Sequence, residues 1–141
     1  MWHYEGKEFK EAPEGYEGFI YKITCIHPDL LDKVYVGRKS FLHKTKKAVS
    51  KKVIKETGTR KRVERGTKDS GWNNYFGSCK ILTEDIKTYG KEHFHREILM
   101  FCTSKAELTY WEAYYQFTEE VLIKDSYNGW ISCKCYRSRL N

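Results

Sequence analysis

The sequence predicts an α/β fold of the α+β kind, in which a small mixed sheet of about three strands is flanked by helices. Two runs rich in β-branched and aromatic residues, 18–26 and 33–37, are typical of strands and lie close enough to pair as a hairpin. A third such run, 93–101, lies between two segments with helical spacing of apolar residues, about 78–88 and 104–122. This order predicts a sheet covered by helices.

Helix start and stop signals support these assignments. Ser78 and Gly90 bracket the first helical segment, as an N-cap and a terminating glycine do. Ser104 begins the second, and Glu107 stands where a capping box places its acid. A further helix is predicted from Ser40 to about residue 54, on a looser apolar stripe, followed by a loop to residue 71.

The two ends of the chain carry weaker patterns. Residues 1–17 are polar with scattered aromatic side chains and predict an irregular arm. Asn128-Gly129 is a turn signal, and 130–136 predicts a short last strand. We expect a single domain over residues 1–141, with the arm 1–17 and a basic insertion around 38–71.

The composition excludes several classes of protein. No stretch approaches the ~20 apolar residues of a membrane span, so we expect no membrane partner. Charged residues crowd the first twenty positions, which excludes a secretory signal peptide and favours an intracellular protein. The five cysteines are odd in number and form no CxxC pair, so free thiols in a reducing compartment are favoured. A zinc site using Cys133, Cys135, His93 and His95 would have an unusual spacing.

The positive charge is concentrated in one segment. The chain has a net charge of +7, and residues 38–68 contain thirteen lysines and arginines but only two acids. A patch this dense favours a polyanion, and DNA is the predicted partner, although phosphate contacts do not exclude RNA. The alternatives are a solvated loop that binds nothing and a surface for an acidic protein. The candidate DNA contacts are Lys44, Lys46, Lys47, Lys51, Lys52, Arg60, Lys61 and Arg62.

Two tyrosine motifs carry the functional signal. Gly18-Phe19-Ile20-Tyr21 and Tyr35-Val36-Gly37 are separated by thirteen residues. An aromatic-Gly-Ser turn, Tyr75–Ser78, precedes the first helix, Glu112 lies inside the aromatic second helix, and Asn128 follows it. Over residues 15–132 the chain resembles the GIY-YIG nuclease family. The run from Gly37 to Phe41 is similar to the Seg-type branch found in phages.

The resemblance implies a metal-dependent endonuclease that hydrolyses DNA with one divalent cation, Mg²⁺ or another such as Mn²⁺. It implies that Tyr21 or Tyr35 acts as a general base or positions water, with a pKa lowered by nearby cations or the metal. It also implies that Glu112 holds the metal. The alternatives are that the tyrosines only pack across the hairpin and that Glu112 forms a salt bridge with the basic segment. A phage homing role in the cytoplasm of an infected bacterial cell would follow.

One family feature is missing. The resemblance implies a catalytic arginine about ten residues after the second tyrosine, where this chain has Thr45. Arg38 is the first candidate to replace it and Lys39 the second. His43 could move a proton or contact phosphate, and Asn128 could be a site residue or only a turn former. The alternative function is a nucleic-acid-binding module that has lost the chemistry. Cutting both strands would need a homodimer or successive nicks.

Overall fold

The computed structural model of the protein describes residues 1–48 and 63–140. It confirms the predicted fold class, but the main sheet has five strands instead of about three. The elements of the described residues are β1 (Trp2–Tyr4), β2 (Lys7–Phe9), β3 (Gly18–Cys25), β4 (Val34–Ser40), β5 (Leu42–Ala48), β6 (Val63–Asp69), α1 (Lys80–Tyr89), β7 (Phe94–Cys102) and α2 (Lys105–Thr118). Neither of these helices is long and apolar enough to cross a membrane.

The main sheet has the strand order β2-β1-β7-β3-β4. All its neighbouring strands are antiparallel except β1 and β7, which run parallel with Trp2 opposite Arg96. In the β3–β4 hairpin Tyr21 lies opposite Gly37. The β3–β7 pairing shifts register between Ile20 and Tyr21, so a local irregularity lies beside the first tyrosine motif.

Alternation along β3 divides the interior into two clusters. Phe19, Tyr21 and Ile23 join a cluster that includes Trp72 and Leu82 of α1. The intervening Ile20 joins a second cluster on the opposite face, which includes Leu108 of α2 and Val36. Because side chains point alternately to the two faces of a strand, the sheet separates α1 from α2.

The helix predicted from Ser40 is wrong. Ser40 ends β4, and the chain continues as β5, which pairs with β6 from Leu42↔Asp69 to Ala48↔Val63. The apolar side chain of Phe41 enters the core instead of forming a helical stripe. The strand β6 also replaces part of the predicted loop, while residues 49–62 lie outside the described part. The hairpin depends on pairing between residues distant in sequence, which a local apolar pattern does not show.

The arm is more ordered than its polar sequence predicts. It forms β1 and β2, and Trp2 is 1% exposed. The Trp2 indole Nε1 donates a hydrogen bond to the Trp72 carbonyl at 2.7 Å. A buried aromatic anchor therefore attaches the start of the chain to the turn that precedes α1.

The strand predicted over 130–136 is also wrong, since these residues are irregular. The chain meets the outer edge of β4 through a bridge between Ser126 and Val34 and through the Asn128 side chain. The amide of Asn128 takes both backbone groups of Val36 that a neighbouring strand would need. The segment therefore passes this edge without pairing along it.

The capping signals are confirmed for the second helix. Ser104 Oγ accepts a hydrogen bond from the Glu107 backbone, as predicted. The Glu107 carboxylate accepts from the backbone of Thr103, one residue before the N-cap. Cys79 instead of Ser78 occupies the N-cap position of the first helix, without a side-chain hydrogen bond, and Gly90 ends the helix as predicted.

Candidate active site

A cavity of about 690 Å³ lies where the outer edge of β4 meets the turn before α1, the helix α2 and the chain after residue 126. Its lining contains five predicted catalytic residues: Tyr21, Tyr35, Arg38, Glu112 and Asn128. Topology therefore brings together side chains that are distant in sequence. The other lining residues are Tyr75, Ser78, Cys79, Thr109, Gln116, Tyr127, Gly129, Trp130, Ser132 and Lys134.

The two motif tyrosines pack against each other beside this cavity. The ring centroids of Tyr21 and Tyr35 are 6.1 Å apart, and Tyr75 meets Tyr21 edge-on at 5.9 Å. Tyr21 is almost fully buried, whereas Tyr35 is half-buried. Gly37 makes room for this arrangement, because a Cβ atom there would lie 2.5 Å from the Tyr21 hydroxyl oxygen.

The expected lowering of the tyrosine pKa values by nearby cations does not occur in the protein alone. Burial raises the pKa of Tyr21 well above its usual value, and the neighbouring Tyr75 and Tyr35 raise it further. Burial also raises the pKa of Tyr35, while a hydrogen bond with Ser78 partly offsets the rise. Both phenols are therefore protonated at neutral pH and can donate hydrogen bonds.

Glu112 on α2 faces Arg38 on β4. The Arg38 Nε atom lies 3.9 Å from Glu112 Oε1, and an Arg38 Nη1 atom donates to the Thr109 hydroxyl. Burial raises the pKa of Glu112, and the nearby guanidinium of Arg38 only partly offsets this rise. The alternative of an ion pair between Glu112 and the basic segment is thus observed, and the same carboxylate lines the cavity.

Asn128 is held at the rim by β4. Its Oδ1 atom accepts from the Val36 backbone N–H and its Nδ2 atom donates to the Val36 carbonyl, both at 2.9 Å. Gln116 Nε2 donates to the same carbonyl at 3.1 Å. These contacts make Asn128 part of the wall that shapes the cavity.

Comparison with known proteins bears on this geometry. A family model described as "Putative endonuclease segE, GIY-YIG domain" matches residues 2–132. The chain belongs to the GIY-YIG family. No curated protein and no solved structure gives a significant match. The match begins at residue 2, so the arm with β1 and β2 lies within the matched domain of the Seg-type branch.

Two predicted catalytic residues of this GIY-YIG chain lie outside the cavity lining. Lys39 follows Arg38 on the opposite face of β4, with its Nζ atom 4.1 Å from the centre of the Tyr75 ring. Burial lowers the pKa of Lys39, and Asp69 partly offsets this. His43 is exposed on β5 opposite Lys68.

The family arginine position and three of the candidate DNA contacts, Lys44, Lys46 and Lys47, lie on β5. Thr45, at the family arginine position, is on β5 opposite Gly66. Of the predicted catalytic residues, Arg38 carries the guanidinium that lines the cavity. Lys44 is exposed on the same strand, whose backbone continues through Lys46 and Lys47. The remaining candidates lie outside the described residues: Lys51, Lys52, Arg60, Lys61 and Arg62.

Arg96 on β7 was not predicted as part of the site. It is nearly buried, and its Nη1 atom donates to the carbonyls of Asn73 and Tyr75 at 3.0 and 2.8 Å. Its guanidinium carbon lies 4.6 Å from the centre of the Trp2 ring and 4.0 Å from that of Phe76. Burial lowers its pKa to about 10, so it remains charged at neutral pH. This buried cation on β7 therefore positions the turn that carries Tyr75.

Other missed residues follow from periodicity. Thr109, Glu112 and Gln116 lie on one face of α2, and all three line the cavity. Tyr75 and Ser78 belong to the aromatic-Gly-Ser turn that marked the family resemblance. Helical spacing around Glu112 would have indicated Thr109 and Gln116. The turn itself would have indicated Tyr75 and Ser78.

The donors at this cavity fit a hard divalent cation whose remaining ligands are water and the phosphate of a bound substrate. Among residues 1–48 and 63–140, no group of three or more His, Cys, Asp or Glu side chains could hold a metal by itself. Glu112 is a half-buried carboxylate beside an open cavity, with the Gln116 amide one turn away. Mg²⁺ is often bound by one or two carboxylates, several waters and substrate phosphates, which agrees with this donor set.

Proposed function

We propose that this chain is a Mg²⁺-dependent endonuclease that hydrolyses phosphodiester bonds in DNA, with Mn²⁺ as another suitable cation. The supporting observation is that two phenols, a guanidinium and a carboxylate meet at one cavity in a GIY-YIG domain. Phosphodiester hydrolysis needs an oriented water, stabilisation of the charged phosphorus centre and neutralisation of the leaving oxygen. These side chains match those needs.

Arg38 and Glu112 share the electrostatic part of this proposal. The Arg38 side chain is 45% exposed, so it can turn from the carboxylate to a phosphate, which a guanidinium binds well. Glu112 would then be left without its cationic neighbour, and a divalent cation would take the place of the guanidinium beside it. When bound, the metal supplies positive charge opposite the charge that develops on the phosphate. Metal and DNA therefore bind together more tightly than either does alone.

The tyrosines orient the reacting groups. Tyr35 is the less buried phenol and has Ser78 beside it, so it is suited to position a water. Tyr21 is held beneath Gly37 as a neutral phenol and is suited to donate to a phosphate oxygen. Tyr75 fixes the ring of Tyr21 from its edge.

The basic segment holds the DNA backbone. Lys44 and the other candidate lysines and arginines give affinity that falls with salt concentration. The finer proposal is a phage homing endonuclease that acts in the cytoplasm of an infected bacterium. The chain either nicks one strand at a time or forms a homodimer that cuts both.

A second candidate is a DNA-binding module without cleavage activity. Two observations favour it: Glu112 already has Arg38 as a partner, and Thr45 replaces the family arginine. This candidate predicts salt-sensitive binding that does not depend on a divalent cation.

A cleavage assay on supercoiled plasmid tests the proposal. With Mg²⁺ the protein should convert supercoiled plasmid to relaxed or linear DNA, and EDTA should prevent this. Glu112→Gln should bind the plasmid without cutting it. Glu119→Gln is the matched control, because Glu119 also pairs with a cation, Lys22, but does not line the cavity. Full cleavage by Glu112→Gln would refute the assignment, and binding without cleavage by the unmodified protein would favour the binding module.

A further inference from the structure

Trp130 differs from the other tryptophans that the structure describes. Trp2 and Trp72 are 1% and 3% exposed and belong to the core, and Trp111 is half-buried. Trp130 is 73% exposed, yet it lines the cavity that contains Tyr35 and Glu112. What distinguishes Trp130 is therefore that one large aromatic ring is accessible to solvent and also borders the cavity.

The position of Trp130 is fixed by its neighbours. Asn128, two residues earlier, is tied to both backbone groups of Val36. Trp130, Ser132 and Lys134 all line the cavity, at alternate positions of the segment. This alternation directs an indole, a hydroxyl and an ammonium group toward the same space.

The size of the cavity indicates what could meet the indole. At about 690 Å³ it is within the range of ~300–1,000 Å³ that holds whole small-molecule ligands. A phosphate group and a cation do not fill such a volume, so there is room for a sugar and a base next to the phosphate. Aromatic side chains at the edge of nucleic-acid sites commonly stack on unpaired bases.

We propose that Trp130 stacks on an unpaired nucleobase next to the scissile phosphate, with Lys134 contacting the adjoining backbone. This inference rests on the proposed function. It also narrows the substrate class: the preferred nucleic acid carries a base outside the duplex stack near the cut, as at a gap, a bulge or a base turned out of the helix. A nucleobase is favoured over a protein partner because the indole continues the lining that holds Arg38 and Glu112.

Binding in EDTA tests the inference without requiring cleavage. The probe is a gapped duplex with one unpaired 2-aminopurine, compared with a fully paired duplex of the same sequence. The protein should quench the unpaired 2-aminopurine and prefer the gapped probe. Trp130→Ala should abolish the quenching and weaken gapped-probe binding about 5- to 150-fold, the range for removing one stacking aromatic. Trp130→Tyr should restore most of both, and Tyr136→Ala, which removes an exposed aromatic outside the lining, should change neither.

The outcomes separate this inference from the proposed function. If Trp130→Ala binds and quenches the gapped probe like the unmodified protein, the stacking site is wrong even if the plasmid is cut. If quenching depends on Trp130 but no plasmid is cut, the stacking site stands and the nuclease proposal fails. If the unmodified protein binds neither probe, the stacking site is wrong, and the plasmid assay with Mg²⁺ decides the nuclease proposal separately.

Discussion

Arg96 donates a hydrogen bond to the Tyr75 carbonyl at 2.8 Å, so a buried cation on β7 fixes a tyrosine that packs edge-on against Tyr21. The guanidinium also lies against the rings of Trp2 and Phe76. This contact connects the N-terminal strand to the candidate active site. It gives Arg96 a positioning role, since it does not itself line the cavity.

Arg96→Lys should weaken both the fold and the site. Lysine keeps the charge but lacks the planar group that contacts two carbonyls and two rings. We expect unfolding in urea to require about 1.5–3 kcal/mol less, the usual contribution of hydrogen bonds to a charged group. Plasmid cleavage per folded molecule should fall more than plasmid affinity does. Arg137→Lys, at an exposed position, is the control, and an unchanged stability of Arg96→Lys would contradict the role.

Gly37→Ala should disturb the tyrosine pair. The added Cβ would meet the Tyr21 hydroxyl at 2.5 Å and Tyr35 at 3.1 Å, so one ring must move. Overpacking of this kind costs about 1–3 kcal/mol, and cleavage should fall with it. Gly129→Ala is the matched control in the same cavity, because its Cβ would meet nothing within 4 Å. Equal effects of the two substitutions in urea and plasmid assays would show that the close approach is unimportant.

The charge of Glu112 should oppose stability above acidic pH. Its pKa in the folded protein is raised above the ordinary 4.5, so the stability present below that pH is lost as pH rises through the raised value. Glu112→Gln, which removes this titrating carboxyl group, should therefore increase the free energy of unfolding most at higher pH. The stability of Glu112→Gln relative to the unmodified protein should increase between pH 4 and pH 7, as measured by urea unfolding at both. A relative stability that decreases would mean that the ion pair with Arg38 outweighs burial.

The basic segment should determine the salt dependence of DNA binding. Replacing Lys46, Lys47, Lys51 and Lys52 together with glutamine should weaken binding and reduce the slope of log K against log salt. The reduction should be about 0.9 for each phosphate that the protein no longer neutralises. Fluorescence anisotropy at several salt concentrations measures this slope. Four exposed lysines elsewhere serve as the control set: Lys7, Lys80, Lys87 and Lys124. If only the control set changes the slope, the DNA surface lies elsewhere.

Local patterns predicted the elements that form locally. The runs of β-branched and aromatic residues in β3 and β7 and the cap at Ser104 are visible over a few residues, and the structure has all three. The β5–β6 hairpin and the β1–β7 pair join distant segments, so no short window contains the interaction that forms them. The helix predicted from Ser40 failed for this reason over residues 40–48, the part of it that the structure describes.

The candidate site shows the same division. Tyr21, Tyr35 and Glu112 were found through sequence motifs, and Arg38 through its position beside Gly37. Arg96 was missed because a charged residue between His95 and Glu97 in the sequence does not reveal which carbonyls it contacts. Trp130 was missed because its exposure depends on how Asn128 attaches the chain to β4.

The parallel pairing of β1 with β7 has a consequence for biosynthesis. Trp2 is translated well before its partner Arg96, which is added only after most of the sheet has been translated. At about 5–20 residues per second, roughly 5–20 s separate the two. Until then a nascent chain has neither the strand partner of Trp2 nor Glu112, so β1 cannot pair with β7 and the candidate site is incomplete. The candidate active site is thus complete only after nearly the entire domain has been translated.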